Sequence, residues 1–356
     1  MTFEEARAQF PVFDRVAYLN AGTNGPLARG TAEAMSEQEC ADVEIGRGGP
    51  PYFERAIELR EQVRAKLAEA VGASPETLSL ATSTTNGCNI VLAGLGLRPE
   101  DEVLTTDGEH FGLLGALATS PAQVRVAEVR ELPPEDSLEV LLATVTPRTR
   151  LIALSHVCWM TGNRFPVEEL KRETGLPVLV DGAQSVGAIP VDTTTVDYYA
   201  FSCQKWLCGP DATGGLVVAD PEALPVTAPS YLSQQTYEPT GAFTPRAGAA
   251  RYDSNWTPVP SLAGLAAALD AAPEWRFERA AETAARSREL LGDRVVTAPG
   301  QATLVTFRAD DDARELVKRL YDAGVVVRDI PGLGWIRVSC GWWTNDDDLE
   351  RLLAAL

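Results

Sequence analysis

Residues 197–215 read DYYAFSCQKWLCGPDATGG, and the fold is decided by what this stretch is. Its first part, Asp197 to Ser202, is a short apolar run with three aromatic residues, the composition of a buried strand. Gln204 and Lys205 follow at once, and the Gly209-Pro210 pair closes the segment with a turn. Lysine is scarce in this chain, with only Lys66, Lys171, Lys205 and Lys318. Three of the four lie in charged helical text, where a solvated helix face explains them. Lys205 lies between an apolar strand and Trp206-Leu207. Ligands of open parallel sheets bind beyond the carboxyl ends of the strands, so an amine held there loses solvent. Desolvation lowers its pKa, which suits imine chemistry. From position alone, a lysine snorkelling out of a loop fits equally well.

Outward from this segment, further short apolar runs recur at LSLAT (78–82), EVLTT (102–106), RLIALS (150–155), PVLVDG (177–182) and GGLVVA (214–219), separated by helix-length segments. Strands alternating with helices predict a mostly parallel sheet covered on both faces. Tyr52 to Val71 carries apolar residues at helical spacing and reads as one long amphipathic helix. Residues 225–250 are rich in Pro, Ser, Thr and Gly and read as loop, so the domain boundary is expected near 250. Beyond it the order is helix, helix, strand, helix, two strands and a terminal helix, a smaller α+β unit.

Two other pieces end on chemistry. Asp181 closes the strand PVLVD, and an acid buried there needs a cationic partner to stay ionised; read alone, it is more often a helix cap. ATSTTNGCN (81–89) runs a strand through hydroxyl and amide residues into a helix, a start whose free N–H groups suit an anion such as phosphate. It is neither a P-loop nor a GxGxxG sequence, and a simple Ser/Thr cap also explains it.

Composition narrows the rest. The chain has 356 residues with 31 Lys+Arg against 50 Asp+Glu, a net charge of −19, which argues against nucleic acid or an anionic membrane as partner. Two histidines, His110 and His156, exclude a multi-histidine metal site. The six cysteines are scattered without metal or disulfide spacing and read as reduced thiols. No apolar stretch reaches the length of a membrane span, and MTFEEARAQF lacks the features of a signal peptide, so a cytoplasmic location is expected.

Taken together, YLNAGTNGPL, TSTTNGCN, DGEH, SHVCWMTGNRFPVEEL, VDGAQSVGAIPVD, DYYAFSCQKWLCGPDATGG and IRVSCGWWTNDDDLERLL occur in the order of a known pattern. The chain resembles the fold-type I pyridoxal 5'-phosphate (PLP) enzymes of the class V aminotransferase and cysteine desulfurase family. That resemblance implies the aspartate aminotransferase-like PLP-dependent transferase fold: a mostly parallel seven-stranded sheet in a large domain (16–250), a small α+β C-terminal domain (251–356), and an N-terminal arm (1–15) associated with the small domain.

It also implies roles. Lys205 would form the internal aldimine and move the substrate's α-proton, Asp181 would pair with the pyridinium nitrogen, Gln184 would bond the ring's phenolic oxygen, and His110 would stack on the ring. Thr85, Asn86, Ser202 and Gln204 would hold the phosphate. Arg337 would form a fork with the substrate carboxylate, and Asn20 and Gly22 would line the substrate side. The segment RYDSNWTPVP (251–260) resembles the stretch that reaches the partner subunit's phosphate, which implies a homodimer with shared sites. Trp256 stands where many relatives have the contacting Thr, and Thr257 is the substitute.

Departures from the desulfurase pattern point to the reaction. The span IPGLGW (330–335) has no cysteine where desulfurases carry their nucleophile, Gln204 replaces their histidine, and Trp159 stands where many members have Asn near the cofactor. SHVCW, DGAQS, DYYAF and KWLCGP resemble the branch of C-S lyases and isopenicillin-N-epimerase-like proteins. The first expectation is α,β-elimination from cysteine, cystine or a related sulfur amino acid. A class V aminotransferase comes next, then an amino-acid epimerase, and, from a different class, a PLP-retaining module without turnover.

Overall fold

The computed structural model describes residues 1–356. Seven strands form the central sheet in the order Leu78–Ala81, Gly214–Val218, Tyr198–Ser202, Val178–Asp181, Thr149–Ser155, Glu102–Thr106, Gln123–Ala127. Gly214–Val218 runs against both neighbours and every other pair is parallel. Alternation along the central strands splits their side chains between two cores. Leu154, Val180 and Phe201 pack on one face with Val63 and Leu67. Ala153, Leu179 and Ala200 pack on the other with Cys88 and Leu113. Covering both faces is what makes these strands apolar throughout.

Gln123–Ala127 is the strand that the sequence reading missed. It sits at the sheet edge, pairs only with Glu102–Thr106 and leaves Val124 and Val126 exposed, so it lacks the continuous apolar run of its neighbours. Residues 225–250, expected to be loop, contain a small antiparallel hairpin of Gln234–Tyr237 and Phe243–Pro245 with most of its side chains in solvent. The helix Arg29–Ile45 was also unread, since its apolar positions are too sparse to mark a face.

The second body is the antiparallel sheet Leu304–Arg308, Trp335–Ser339, Arg328–Ile330, flanked by helices Arg276–Leu291, Ala313–Asp322 and Asp346–Ala355. The N-terminal segment packs here. Arg7 pairs with buried Asp348 at 2.9 Å, and Phe10 and Phe13 pack on Trp342 and Trp343. Ala17–Tyr18 then pairs in parallel with Val325–Val326, extending the attachment beyond residue 15. Near the expected boundary, Asp253 is buried against Arg60, Arg64 and Ser79. Helix Val259–Ala271 sends Leu262, Leu265 and Ala266 into the core of the central sheet. Residues 253–271 therefore contribute to packing against the central sheet.

Candidate active site

The carboxyl ends of the parallel strands converge with the second body around Lys205. Asp181 ends its strand, is 3% exposed, and accepts one hydrogen bond, from the Ala183 N–H at 2.9 Å. Burial raises its pKa, and the Lys205 charge opposes that rise. Lys205 itself is pulled down to about 8, first by desolvation and then by Arg337 and Arg328, with Asp181 acting in the opposite direction. The amine and the acid therefore act on one another electrostatically, and neither side chain is used up in an ion pair with the other.

One wall comes from the chain start. The Gly25 N–H donates to the Gln204 carbonyl at 2.7 Å, and a Cβ at Gly25 would lie 1.9 Å from the Lys205 carbonyl oxygen. Gln184 Nε2 donates to the Gly22 carbonyl at 2.8 Å, while its Oε1 accepts from Trp206 Nε1 at 3.0 Å. Gly22 also lies against Arg337, with room for no side chain: a Cβ there would come 2.8 Å from Nη2. Arg337 is 1% exposed; it donates to the Trp159 carbonyl at 3.0 Å and to the Thr23 hydroxyl at 3.2 Å. Thr23 in turn donates to Asn20 Oδ1 at 2.8 Å, so Asn20 reaches Arg337 through one hydroxyl.

Desolvation lowers the Arg337 pKa to about 9, and the charge of Arg328 adds to the effect. Arg328 stands directly opposite Arg337 on the neighbouring antiparallel strand. Its guanidinium lies over the Trp159 ring, 5.3 Å from the centroid. The carboxylate beside it in sequence, Asp329, turns instead to Arg314 at 3.7 Å. Neither Arg328 nor Arg337 has a carboxylate partner within 4.0 Å.

The third wall is His110 and the helix starts. His110 caps helix Phe111–Thr119: its Nδ1 accepts from the Gly112 N–H at 3.0 Å, which places any ring proton on Nε2. Desolvation, then Lys205, Arg328 and Arg337, hold its pKa near 4, so the ring is neutral at pH 7. Ser83 caps helix Thr84–Gly94, whose first turn retains N–H groups with no i−4 carbonyl. Thr84, unmarked in the sequence reading, donates its N–H to Ser202 Oγ at 3.0 Å and shares a 2.8 Å hydroxyl contact with it. This ties the helix start to the end of the strand that precedes Lys205. Thr85 Oγ1 faces Gly112 in the same region.

The family is fixed by comparison. A family model described as aminotransferase class V matches residues 19–317. The chain belongs to the class V aminotransferase family. Isopenicillin N epimerases from Streptomyces clavuligerus and Amycolatopsis lactamdurans are 29% and 31% identical, each over 99% of this chain and 97% of the relative. A probable cysteine desulfurase of Pseudomonas aeruginosa is 30% identical over 98% of this chain and 96% of its own length. Among solved structures, the cystine C-S lyase C-DES in complex with its product cysteine persulfide superposes with a TM-score of 0.90 at 31% identity, covering 97% of this chain and 98% of that one. A variant of the same enzyme holding glycine covalently linked to PLP gives 0.89, with 31% identity over 98% of each chain.

This class V enzyme uses PLP, and its residues fit that group. Three buried polar atoms lack a partner near Lys205: Gln204 Oε1, Trp159 Nε1 and Arg337 Nε. A buried acid and an amine act on one another's charge without forming an ion pair, and the end of the strand before the amine is tied to a capped helix start. Of the residues expected from sequence, the fold gathers Asn20, Gly22, Gln184, Gln204, Lys205 and Arg337 through direct hydrogen bonds or close approach. Asp181 and His110 join them through the charge of Lys205.

Others are occupied differently. Asn86 Oδ1 accepts from Thr82 N–H at 3.2 Å and Ser254 Oγ at 2.6 Å, fixing the loop that follows Asp253. Ser202 is engaged by Thr84. Trp256 packs on Tyr52 and Phe53 at the surface, and Thr257 is buried. His156 bonds the Tyr199 hydroxyl at 2.8 Å and is structural. Cys203 and Cys208 are core residues. Thr23, Arg328 and Thr84 were the residues missed. Thr23, inside LNAGTNGP, and Thr84, inside TSTTNGCN, carried a local signal; Arg328 carried none.

Proposed function

We propose that this enzyme cleaves the Cβ–S bond of a sulfur amino acid by α,β-elimination, with cystine as the best-fitting substrate. The observation that carries this reading is the pair Arg328 and Arg337, two cations without carboxylate partners beside Lys205. One guanidinium suffices for an ordinary amino acid's carboxylate; two match a substrate with a carboxylate at each end, as cystine has. Similarity over the full chain to a cystine C-S lyase supports the same choice.

When bound, PLP supplies an electron sink that acidifies the substrate's Cα–H. Asp181, buried at the end of its strand, would pair with the cofactor's ring nitrogen and favour its protonated form, and His110 would lie against the ring. Thr85, Asn86, Ser202, Gln204 and the start of helix Thr84–Gly94 would hold the phosphate, and Gln184 would contact the phenolic oxygen with its remaining amide hydrogen. Arg337, oriented by Thr23 and the Trp159 carbonyl, would take the α-carboxylate, with Asn20 and Gly22 shaping that side. Lys205, with a pKa drawn to about 8, accepts the Cα proton. The Cβ–S pair leaves with sulfur, and water converts the released dehydroamino acid to pyruvate and ammonia. Cystine thus gives pyruvate, ammonia and cysteine persulfide, which balances with one water.

Sulfur transfer to a protein cysteine has no support here. The loop Pro331–Gly334 carries no thiol, and every cysteine except Cys40 is buried. Transamination and epimerisation are the second and third readings, favoured by the family model and by the epimerase relatives. Purified enzyme given cystine and no 2-oxo acid decides among them. Pyruvate production supports elimination; a product that requires an acceptor, or inversion at Cα without pyruvate, replaces it with one of the alternatives.

We infer further that the enzyme works as a cytoplasmic homodimer. Asp253 and Ser254 anchor the segment that precedes Trp256, and that indole is 38% exposed beside Tyr52 and Phe53, where a partner subunit could be reached. No helix is long and apolar enough to cross a membrane, and none of the six cysteines is bonded.

A further inference from the structure

Trp159 meets three charged or titratable groups of the site, each through a different atom set. Its ring is edge-on to His110 with centroids 5.3 Å apart, its face carries the Arg328 guanidinium at 5.3 Å, and its carbonyl accepts from Arg337 Nη1 at 3.0 Å. The two arginines are cross-strand neighbours, an arrangement that repels. A protein ordinarily settles such a pair with a carboxylate, which would cancel the charge a substrate needs. Here the anchors are neutral. A ring quadrupole orients Arg328 and a carbonyl dipole orients Arg337, so both guanidiniums stay fixed and both stay cationic. Arg328 otherwise has only the Asp329 carbonyl, bonded through Nε at 3.2 Å, leaving its terminal nitrogens for a ligand.

We propose that Trp159 is a specificity-determining positioning residue. Its indole face holds Arg328 ready for the distal carboxylate of a two-carboxylate amino acid, while Arg337 takes the near one. The proposal rests on the reading of the arginine pair given above but not on which bond is broken. Removing the indole frees Arg328 and leaves the Arg337 anchor, a backbone atom, in place. Recognition of the distal end should therefore fail selectively.

The test uses ligands that cannot eliminate. 2,7-Diaminosuberate, the carbon isostere of cystine, has a carboxylate at each end; norleucine has one. Binding to the holoenzyme is followed by the visible absorbance change, with circular dichroism and a melting curve to confirm folding. Trp159→Ala is expected to weaken 2,7-diaminosuberate about tenfold or more and norleucine less than about threefold. Trp159→Phe, which restores a ring face, is expected to recover most of the loss. Arg328→Ala should match Trp159→Ala, and the double variant should add little to either, because a residue acting through another is not additive with it. Equal weakening of both ligands, additive losses, or a wild-type enzyme that does not distinguish the two ligands would overturn the proposal. Pyruvate from cystine is measured separately: its absence with selective loss intact would remove elimination and leave the role of Trp159 standing.

Discussion

Arg328 and Arg337 face each other on adjacent antiparallel strands, and each is held by neutral partners. Like charges set opposite one another store repulsion that an incoming pair of carboxylates relieves. Charge removed from this pair should thus weaken the substrate complex more than the fold. Arg337→Ala is expected to lower kcat/KM on the order of 100-fold, the scale for truncating one side of a buried charge contact. Its melting temperature should change by only a few degrees. A drop confined to melting temperature would remove Arg337 from the binding role.

The charges around Lys205 act with opposite signs, which gives a titration test. With its pKa near 8, the apoenzyme amine should form an imine with PLP increasingly as pH rises through that value. Asp181 raises this pKa and Arg337 lowers it. Asp181→Asn should therefore shift the midpoint of reconstitution downward and Arg337→Met should shift it upward. Absorbance of the reconstituted enzyme across a pH series reads both, and shifts in the same direction would contradict the assigned electrostatics.

A Cβ at residue 25 has no space, because it would overlap the Lys205 carbonyl at 1.9 Å. The atom it meets is backbone and a Cβ is fixed by its own backbone, so no side-chain rotation relieves the contact. Gly25→Ala is expected to cost about 3 kcal/mol by forcing the loop away from the lysine segment. Chemical unfolding of the variant and its retention of PLP on dialysis measure the effect.

His156 offers a pH test outside the site. Burial depresses its pKa to about 4 while the unfolded chain keeps the ordinary value near 6.5. The folded state therefore resists the proton that the unfolded state accepts. Above 6.5 the residue contributes no pH dependence. As pH falls, stability should decline through the window from 6.5 to 4, by up to about 3 kcal/mol at 1.4 kcal/mol per unit. His156→Gln should remove its share of that slope in urea melts at a series of pH values, leaving the share of His110, whose pKa is lowered in the same way. An unchanged slope would place the dependence elsewhere.

Of six thiols only Cys40 is exposed, and burial raises the pKa of each of the other five. Iodoacetamide should modify the folded enzyme once, at Cys40, without loss of activity, and Cys40→Ser should retain full turnover. Inactivation by that single alkylation would reopen a persulfide mechanism.

The central strands, the lysine segment and the acid at 181 could be read directly because each is a local pattern: a buried strand is apolar along its length whatever lies beside it. Gln123–Ala127 escaped notice because an edge strand borrows its identity from its one neighbour. Thr84 escaped because its role depends on Ser202, 118 positions away. Arg328 looked like any charged residue in a strand until the sheet register set it against Arg337.

The order of the motifs by itself carried the resemblance to the family and, through it, the cofactor, while the strand-length apolar runs predicted the α/β architecture, since both are local properties of the chain. Tertiary structure decided what surrounds Lys205. Residues 20–25, 159, 328 and 337 come together only when the second body closes on the sheet, and charge at such a site follows from distance and burial rather than from position in the chain.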